Sequence, residues 1–248
     1  MTTRNRLRML VGSMGLAPRL AGVWRAYPDT DLVQFVLGVG GRRAVLDAFE
    51  AIAATVDRPR IEALKTRFGG VRGAGSNKYL DLPVHITRAI GNVRLLGLDR
   101  GPPIAVLDLG TGAGWFPTAC RHFGNDCAAL DLDVDPLYRE MMALLGVRRT
   151  VWRIEPRQKL PAFDRRFDCI TAFQILFDRL PDGSLWTESD WGFFLDELAA
   201  NVAAPGGRFV MGLNTVYSGQ HEQHRRNLEF LRGRGAVALG PCLSLRLS

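Results

Sequence analysis

Residues 104–135 read IAVLDLGTGAGWFPTACRHFGNDCAALDLDVD, and the rest of the chain is organised around them. Ile104 to Leu109 is an apolar run with the length and β-branched content of a buried parallel strand. Three glycines follow, Gly110, Gly112 and Gly114, and then a helical pattern from Trp115 to Phe123 that Gly124 and Asn125 stop. A second apolar run, Cys127 to Leu132, carries an acid at Asp131. Strand, glycine loop, helix, strand and acid, in that order, make a βαβ unit of the kind that holds a nucleotide.

The glycines have a physical task. A sharp turn from strand into helix needs backbone angles that side chains forbid, and removing side chains lets a ligand lie against the backbone. The helix that follows turns free N–H groups toward the same place, which welcomes a carboxylate or phosphate. Asp131, about 20 residues on, stands where an acid accepts both ribose hydroxyls, with Asp133 one pleat further as the reserve. The nicotinamide-dinucleotide pattern wants a third glycine where this chain has Trp115, and an indole there blocks the close helix–strand packing that glycine allows. Asp108 precedes the loop, giving D-x-G-x-G-x-G. A carboxylate at that point repels a pyrophosphate and suits an ammonium or sulfonium ligand.

On these residues the chain resembles the class I S-adenosylmethionine (SAM)-dependent methyltransferases. VLDLGTGAG is similar to their motif I, and Asp131 falls 23 positions after Asp108, where that family keeps its ribose-binding acid. The resemblance implies SAM as cofactor, held by Asp108, Gly110, Thr111, Gly112, Gly114, Asp131 and Leu132.

Composition bounds the remainder. The chain has 248 residues, 47% of them hydrophobic, enough for a sizeable core. No apolar run reaches the roughly 18 residues of a membrane span, and a cytoplasmic protein is expected. Cys120, Cys127, Cys169 and Cys242 show no C-x-x-C pairing and read as buried free thiols. The formal charge of +7 admits nucleic acid as a partner, but 29 of the 32 basic residues are arginine and they are scattered. A small-molecule substrate is therefore favoured over nucleic acid, no metal is expected, and a homodimer is left open.

Before the glycine loop the chain reads as helical. Residues 4–14 place Leu7, Leu10, Val11 and Met14 on one stripe with Arg4, Arg6 and Arg8 off it. Leu32 to Val39 is apolar and ambiguous between helix and strand. Arg42 to Val56 repeats Val45, Phe49, Ile52 and Val56 at helical spacing, and Asp57 with Pro59 opens another helix that Gly69 ends. Residues 69–75, GGVRGAG, form a joint. Lys78 and Tyr79 follow it, as substrate-binding lid residues or as ordinary linker. Pro83 starts a helix reaching Gly97. The division expected is 1–75 as a helical N-terminal extension or cap and 76–248 as the methyltransferase domain.

Beyond the core, Asp135 and Pro136 begin a helix, and Thr150 to Ile154 reads as a short strand ending at Glu155. In enzymes of the resembled family the loop after the third strand often contacts adenine, which adds Glu155 and Pro156 to the cofactor residues. FDCITAF, residues 167–173, is the fourth strand, so Gln174, with Phe173, Ile175 and Phe177, should face the reacting methyl group. Ala172-Phe173-Gln174-Ile175 lacks the Asn/Asp-Pro-Pro-aromatic sequence of enzymes that methylate nucleobase amines or protein glutamine. A spermidine-synthase-like transferase is disfavoured because no acidic pair stands at the fourth strand. Asp190 is expected to cap a helix through Val202, and Pro205-Gly206-Gly207 to turn into a fifth strand whose end carries Asn214, a further substrate-binding candidate. A helix from about Gln220 to Arg232 and a hairpin of Ala236–Leu239 with Leu243–Leu247 complete the chain.

The expectation is an α/β fold: a doubly wound, mostly parallel seven-stranded sheet with a C-terminal antiparallel hairpin, plus the helical extension. The expected function is methyl transfer from SAM to a small molecule by in-line displacement. The alternatives are an RNA- or protein-modifying methyltransferase and a non-enzymatic nucleotide-binding scaffold. None of His85, His122, His221 and His224 sits at a strand's carboxyl end, so no catalytic base is named.

Overall fold

The computed structural model describes residues 42–69, 75–212 and 221–247. The expectations for residues 1–41, for most of the glycine joint and for Asn214 lie outside them. The chain divides into two compact units that interleave along the sequence.

The first unit is helical and holds the described residues up to Gly101 together with Ala113–Phe123 and Asp135–Val147. Its helices are α1 (Arg42–Thr55), α2 (Arg58–Phe68), α3 (Leu82–Leu95), α4 (Trp115–His122) and α5 (Pro136–Leu144), with a 3₁₀ turn at Gly75–Leu80. Three of them start by one device. Asp57, Asp81 and Asp135 each accept a hydrogen bond from a backbone N–H of the first turn, and a proline follows in that turn. Val45, Ile52 and Val56 are buried as the helical spacing requires, and α1 packs on α3 and α4.

The second unit holds Pro102–Gly112, Gly124–Val134 and the chain from Arg148 onward. Its seven strands are β1 (Ala105–Leu109), β2 (Asp126–Asp131), β3 (Arg149–Val151), β4 (Phe167–Phe173), β5 (Ala203–Gly212), β6 (Val237–Leu239) and β7 (Cys242–Arg246). They lie in the order β3-β2-β1-β4-β5-β7-β6. β1 to β5 are parallel, and β7 runs antiparallel to both β5 and β6. The winding runs outward from β1 to β3, then returns to β4 and proceeds the other way, which makes the sheet doubly wound. α6 (Glu188–Glu197), extended by a π turn at Leu198–Val202, and α7 (His221–Gly233) belong to the same unit. Its core joins Leu107, Ile170 and Phe209 of the sheet to Trp186, Trp191 and Phe194, whose rings meet largely edge to face.

Three local readings change. The third strand is shorter than expected and begins earlier: after Val151 only the Trp152 N–H still bonds to β2, at the Asp131 carbonyl (3.0 Å). The cap of α6 is Thr187, not Asp190. Asp190 is its third residue and returns a hydrogen bond to the Thr187 N–H (3.0 Å), completing a capping box. Pro205-Gly206-Gly207 is not a turn before β5 but a bulge within it. Phe167 pairs with Ala203 and Cys169 with Arg208, so the intervening residues loop out.

Candidate cofactor site

The winding reverses between β1 and β4, where Asp108 lies opposite Thr171. Asp108 is buried, and its Oδ1 accepts the Thr171 hydroxyl at 2.8 Å. Burial away from water pushes its carboxyl up to about 7, and nearby Asp131 adds to the rise; the Thr111 and Thr171 hydroxyls pull the other way. No lysine or arginine among the described residues pairs with it.

The glycine loop closes over the ends of β1 and β2. Gly110 donates its N–H to the Leu130 carbonyl at 2.7 Å. Its φ is +70°, and a Cβ there would fall 2.1 Å from the Ile175 Cδ1. Gly112 donates its N–H to Asp131 Oδ2, and the Leu132 N–H reaches Oδ1 of the same carboxylate at 2.6 Å. Asp131 thereby holds the loop in place. A carboxylate has about four acceptor positions, more than two backbone N–H groups use. Asp133 is engaged elsewhere: Arg149 donates to its carboxylate and to the Leu132 carbonyl.

Asp108, Gly110, Thr111, Gly112, Asp131 and Leu132 are thus brought together in one unit. Gly114 follows on the chain as the left-handed residue before α4 (φ +84°). Gln174 ends β4 with φ +55°, its N–H on the Gly212 carbonyl at 2.9 Å, and its neighbour Ile175 is the side chain lying against Gly110. Phe177 turns away into the Trp186, Trp191 and Phe194 cluster, so it serves the core. Glu155 stands exposed on a turn closed by the Gln158 N–H, while Arg157 in that turn bonds Asp190 (3.0 Å). Among the described residues, neither Glu155 nor Pro156 hydrogen-bonds to the glycine loop. Thr171 and Arg149 were missed by sequence reasoning. Thr171 left one signal, a hydroxyl inside the otherwise apolar run from Cys169 to Phe173.

In the helical unit, the Trp115 Nε1–H donates to the Tyr79 carbonyl at 3.0 Å. The indole that displaces the third glycine thus ties the first residue of α4 to the 3₁₀ turn carrying Lys78 and Tyr79. The Tyr79 ring lies against the imidazole of His85 (4.6 Å between centroids) and edge-on to Tyr138 (5.3 Å), with the Lys78 ammonium 5.2 Å from its centre. His85 is buried and its pKa is pulled down to about 3, first by desolvation and then by the charge of Arg88.

No protein-family model matches the chain, and no curated protein matches it. Solved structures to which it is similar include a ribosomal protein L11 methylase from Lactobacillus delbrueckii subsp. bulgaricus, at 21% identity over 63% of this chain and 77% of that one, TM-score 0.39. A SAM-dependent methyltransferase from Aquifex aeolicus gives 22% over 62% and 86%, TM-score 0.40. DesVI of Streptomyces venezuelae gives 19% over 64% and 58%, TM-score 0.40. At these TM-scores the likenesses lend nothing to the reading of the site, which stands on the chain's own residues. The strand order β3-β2-β1-β4-β5-β7-β6 and the D-x-G-x-G-x-G loop after β1 give the chain the Rossmann-like architecture of the class I SAM-dependent methyltransferases.

Proposed function

We propose that the protein is a SAM-dependent methyltransferase acting on a small-molecule acceptor. The observation that carries this reading is Asp108. A carboxylate buried at the switch point, beside a glycine loop and without a cationic partner among the described residues, makes a site with negative potential. A pyrophosphate is repelled there, whereas a ligand bearing an ammonium and a sulfonium supplies the missing charge. SAM brings a methyl group already activated on sulfur.

The chain's residues then have holding tasks. Asp131 accepts the ribose hydroxyls at the end of β2, beside the loop N–H groups it holds. Gly110 and Gly112 allow close approach of the backbone. Leu132, Glu155 and Pro156 form the adenine side, and Gln174 the side of the reacting methyl. The acceptor must be aligned near ~3 Å and kept from water. The division of the chain at residue 75, into an N-terminal extension and a catalytic domain, is part of the same proposal.

A small acceptor is supported by what the arginines do. Arg165, Arg225, Arg226 and Arg234 pair with acids, and Arg121 and Arg166 donate to backbone carbonyls. Cations spent within the chain on separate elements do not make a nucleic-acid face. Titration calorimetry with SAM, its demethylated product and NAD tests the proposal: SAM and its product bind and NAD does not. NAD binding without SAM binding ends it.

A further inference from the structure

β4 is buried from Cys169 to Ala172, and the one hydroxyl in that stretch is that of Thr171. A hydroxyl in so dry a place must find an acceptor. Two are in reach, both on β1: the Asp108 carboxyl at 2.8 Å and the Leu107 carbonyl at 3.4 Å. One proton cannot serve both, and the shorter bond is the stronger.

The bond stands on rigid ground. Thr171 lies opposite Asp108 of β1 on one side and opposite Val210 of β5 on the other, so its strand is paired along both edges. Its β-branched side chain has little rotamer freedom. Leu107, Leu109, Ile170 and Ala172 belong to the aromatic core; Asp108 and Thr171 alternate with them and share the opposite face of the sheet. The hydroxyl therefore holds one carboxyl oxygen in one direction. Two apolar side chains of the same shape would serve the packing there as well or better. That leaves presentation to a ligand as the use of the pair.

We propose that Thr171 is a positioning residue, which turns the Asp108 carboxylate to meet the ammonium group at the amino-acid end of the cofactor. The assignment deepens the methyltransferase reading and rests on it. Thr171 acts through Asp108 alone, so its effect is confined to that end of the ligand; the ribose belongs to Asp131 on the neighbouring strand.

The test is calorimetry on the full chain with S-adenosylhomocysteine and with 5′-methylthioadenosine, which keeps the adenine, ribose and sulfur but lacks the amino-acid end. Thr171→Val should weaken S-adenosylhomocysteine about tenfold and 5′-methylthioadenosine less than about twofold. Thr171→Ser keeps the hydroxyl and should restore most of the loss. In an Asp108→Asn background, Thr171→Val should add less than about twofold, because the two residues act as one unit. Circular dichroism confirms the fold of each variant; Thr171→Cys, the shape of serine but a weak donor, bears the decision if Thr171→Val does not fold. Equal losses on both ligands, no loss on S-adenosylhomocysteine, or additive effects of the two substitutions overturn the inference, while binding of S-adenosylhomocysteine by the wild type keeps the methyltransferase reading. A wild type that binds neither compound removes that reading and the inference with it.

Discussion

Thr171 donates its hydroxyl to the buried carboxyl of Asp108 at 2.8 Å, across the two strands between which the sheet reverses its winding. The bond holds a charge that the fold would otherwise do better without. Unfolded, Asp108 loses its proton near the ordinary value of 3.8; folded, it keeps the proton until about pH 7. Its contribution to stability therefore falls as pH rises through that window and is level above it. At 1.36 kcal/mol per pKa unit the penalty is about 3–5 kcal/mol. Asp108→Asn should flatten this part of the stability profile and raise the melting temperature at pH 8, while weakening SAM. Thr171→Val should lower stability at pH 8 by about 1–3 kcal/mol. Urea melts across pH 4–8 measure both, and an unchanged slope in Asp108→Asn refutes the account.

Asp131 and Asp133 should behave differently. Asp131→Ala removes the acceptor of two loop N–H groups as well as the ribose partner, and hydrogen bonds to a charged group are worth roughly 1.5–3 kcal/mol each. SAM affinity should fall by one to a few orders of magnitude. Asp133→Ala releases Arg149 and should change affinity less than about threefold. The reverse ranking by calorimetry would move the ribose to Asp133.

Gly110→Ala meets two obstacles, the Ile175 side chain and a positive φ. Adding Ile175→Ala should relieve the contact and leave the backbone cost of about 1 kcal/mol or more. The double variant is thus expected between the wild type and Gly110→Ala in denaturant melts. Full recovery would mean that the backbone angle costs nothing there.

His85 governs the acid limb. Its imidazole takes a proton near 6.5 when unfolded but only near pH 3 when folded. Stability is thus intact above 6.5 and is lost as pH falls toward 3. His85→Gln should make melting temperature less dependent on pH between 6 and 4, read by thermal scans.

A chain beginning at Ser76 should be unstable. Removing α1 uncovers the faces of α3 and α4 against which Val45 and Ile52 are buried. Loss of a cooperative thermal transition is expected. A shortened chain that melts at the wild-type temperature would show that α1 adds nothing to the stability of the fold.

The sequence made β1, the glycine loop and β2 legible because local rules set them: a buried strand, residues free of side chains, an acid at a fixed distance. Asp108 and Asp131 were readable for the same reason. Thr171 was not, since its role comes from register between strands 63 residues apart. Arg149 gave no signal, as its partners are a carbonyl and an acid that local pattern does not connect. Phe177 was misplaced because Gln174 takes a left-handed conformation, which breaks the alternation that would have aimed it at the crevice.

The bond from Trp115 to the Tyr79 carbonyl also has a thermodynamic side. A displacement of the first residue of α4 would be felt at Lys78, and whatever orders Lys78 would be felt at the start of α4. Linkage makes such an influence mutual: the free energy that order at one end lends the other is returned in equal measure. Trp115→Phe should break that reciprocity, so that amide exchange in the turn carrying Tyr79 no longer follows changes at the start of α4.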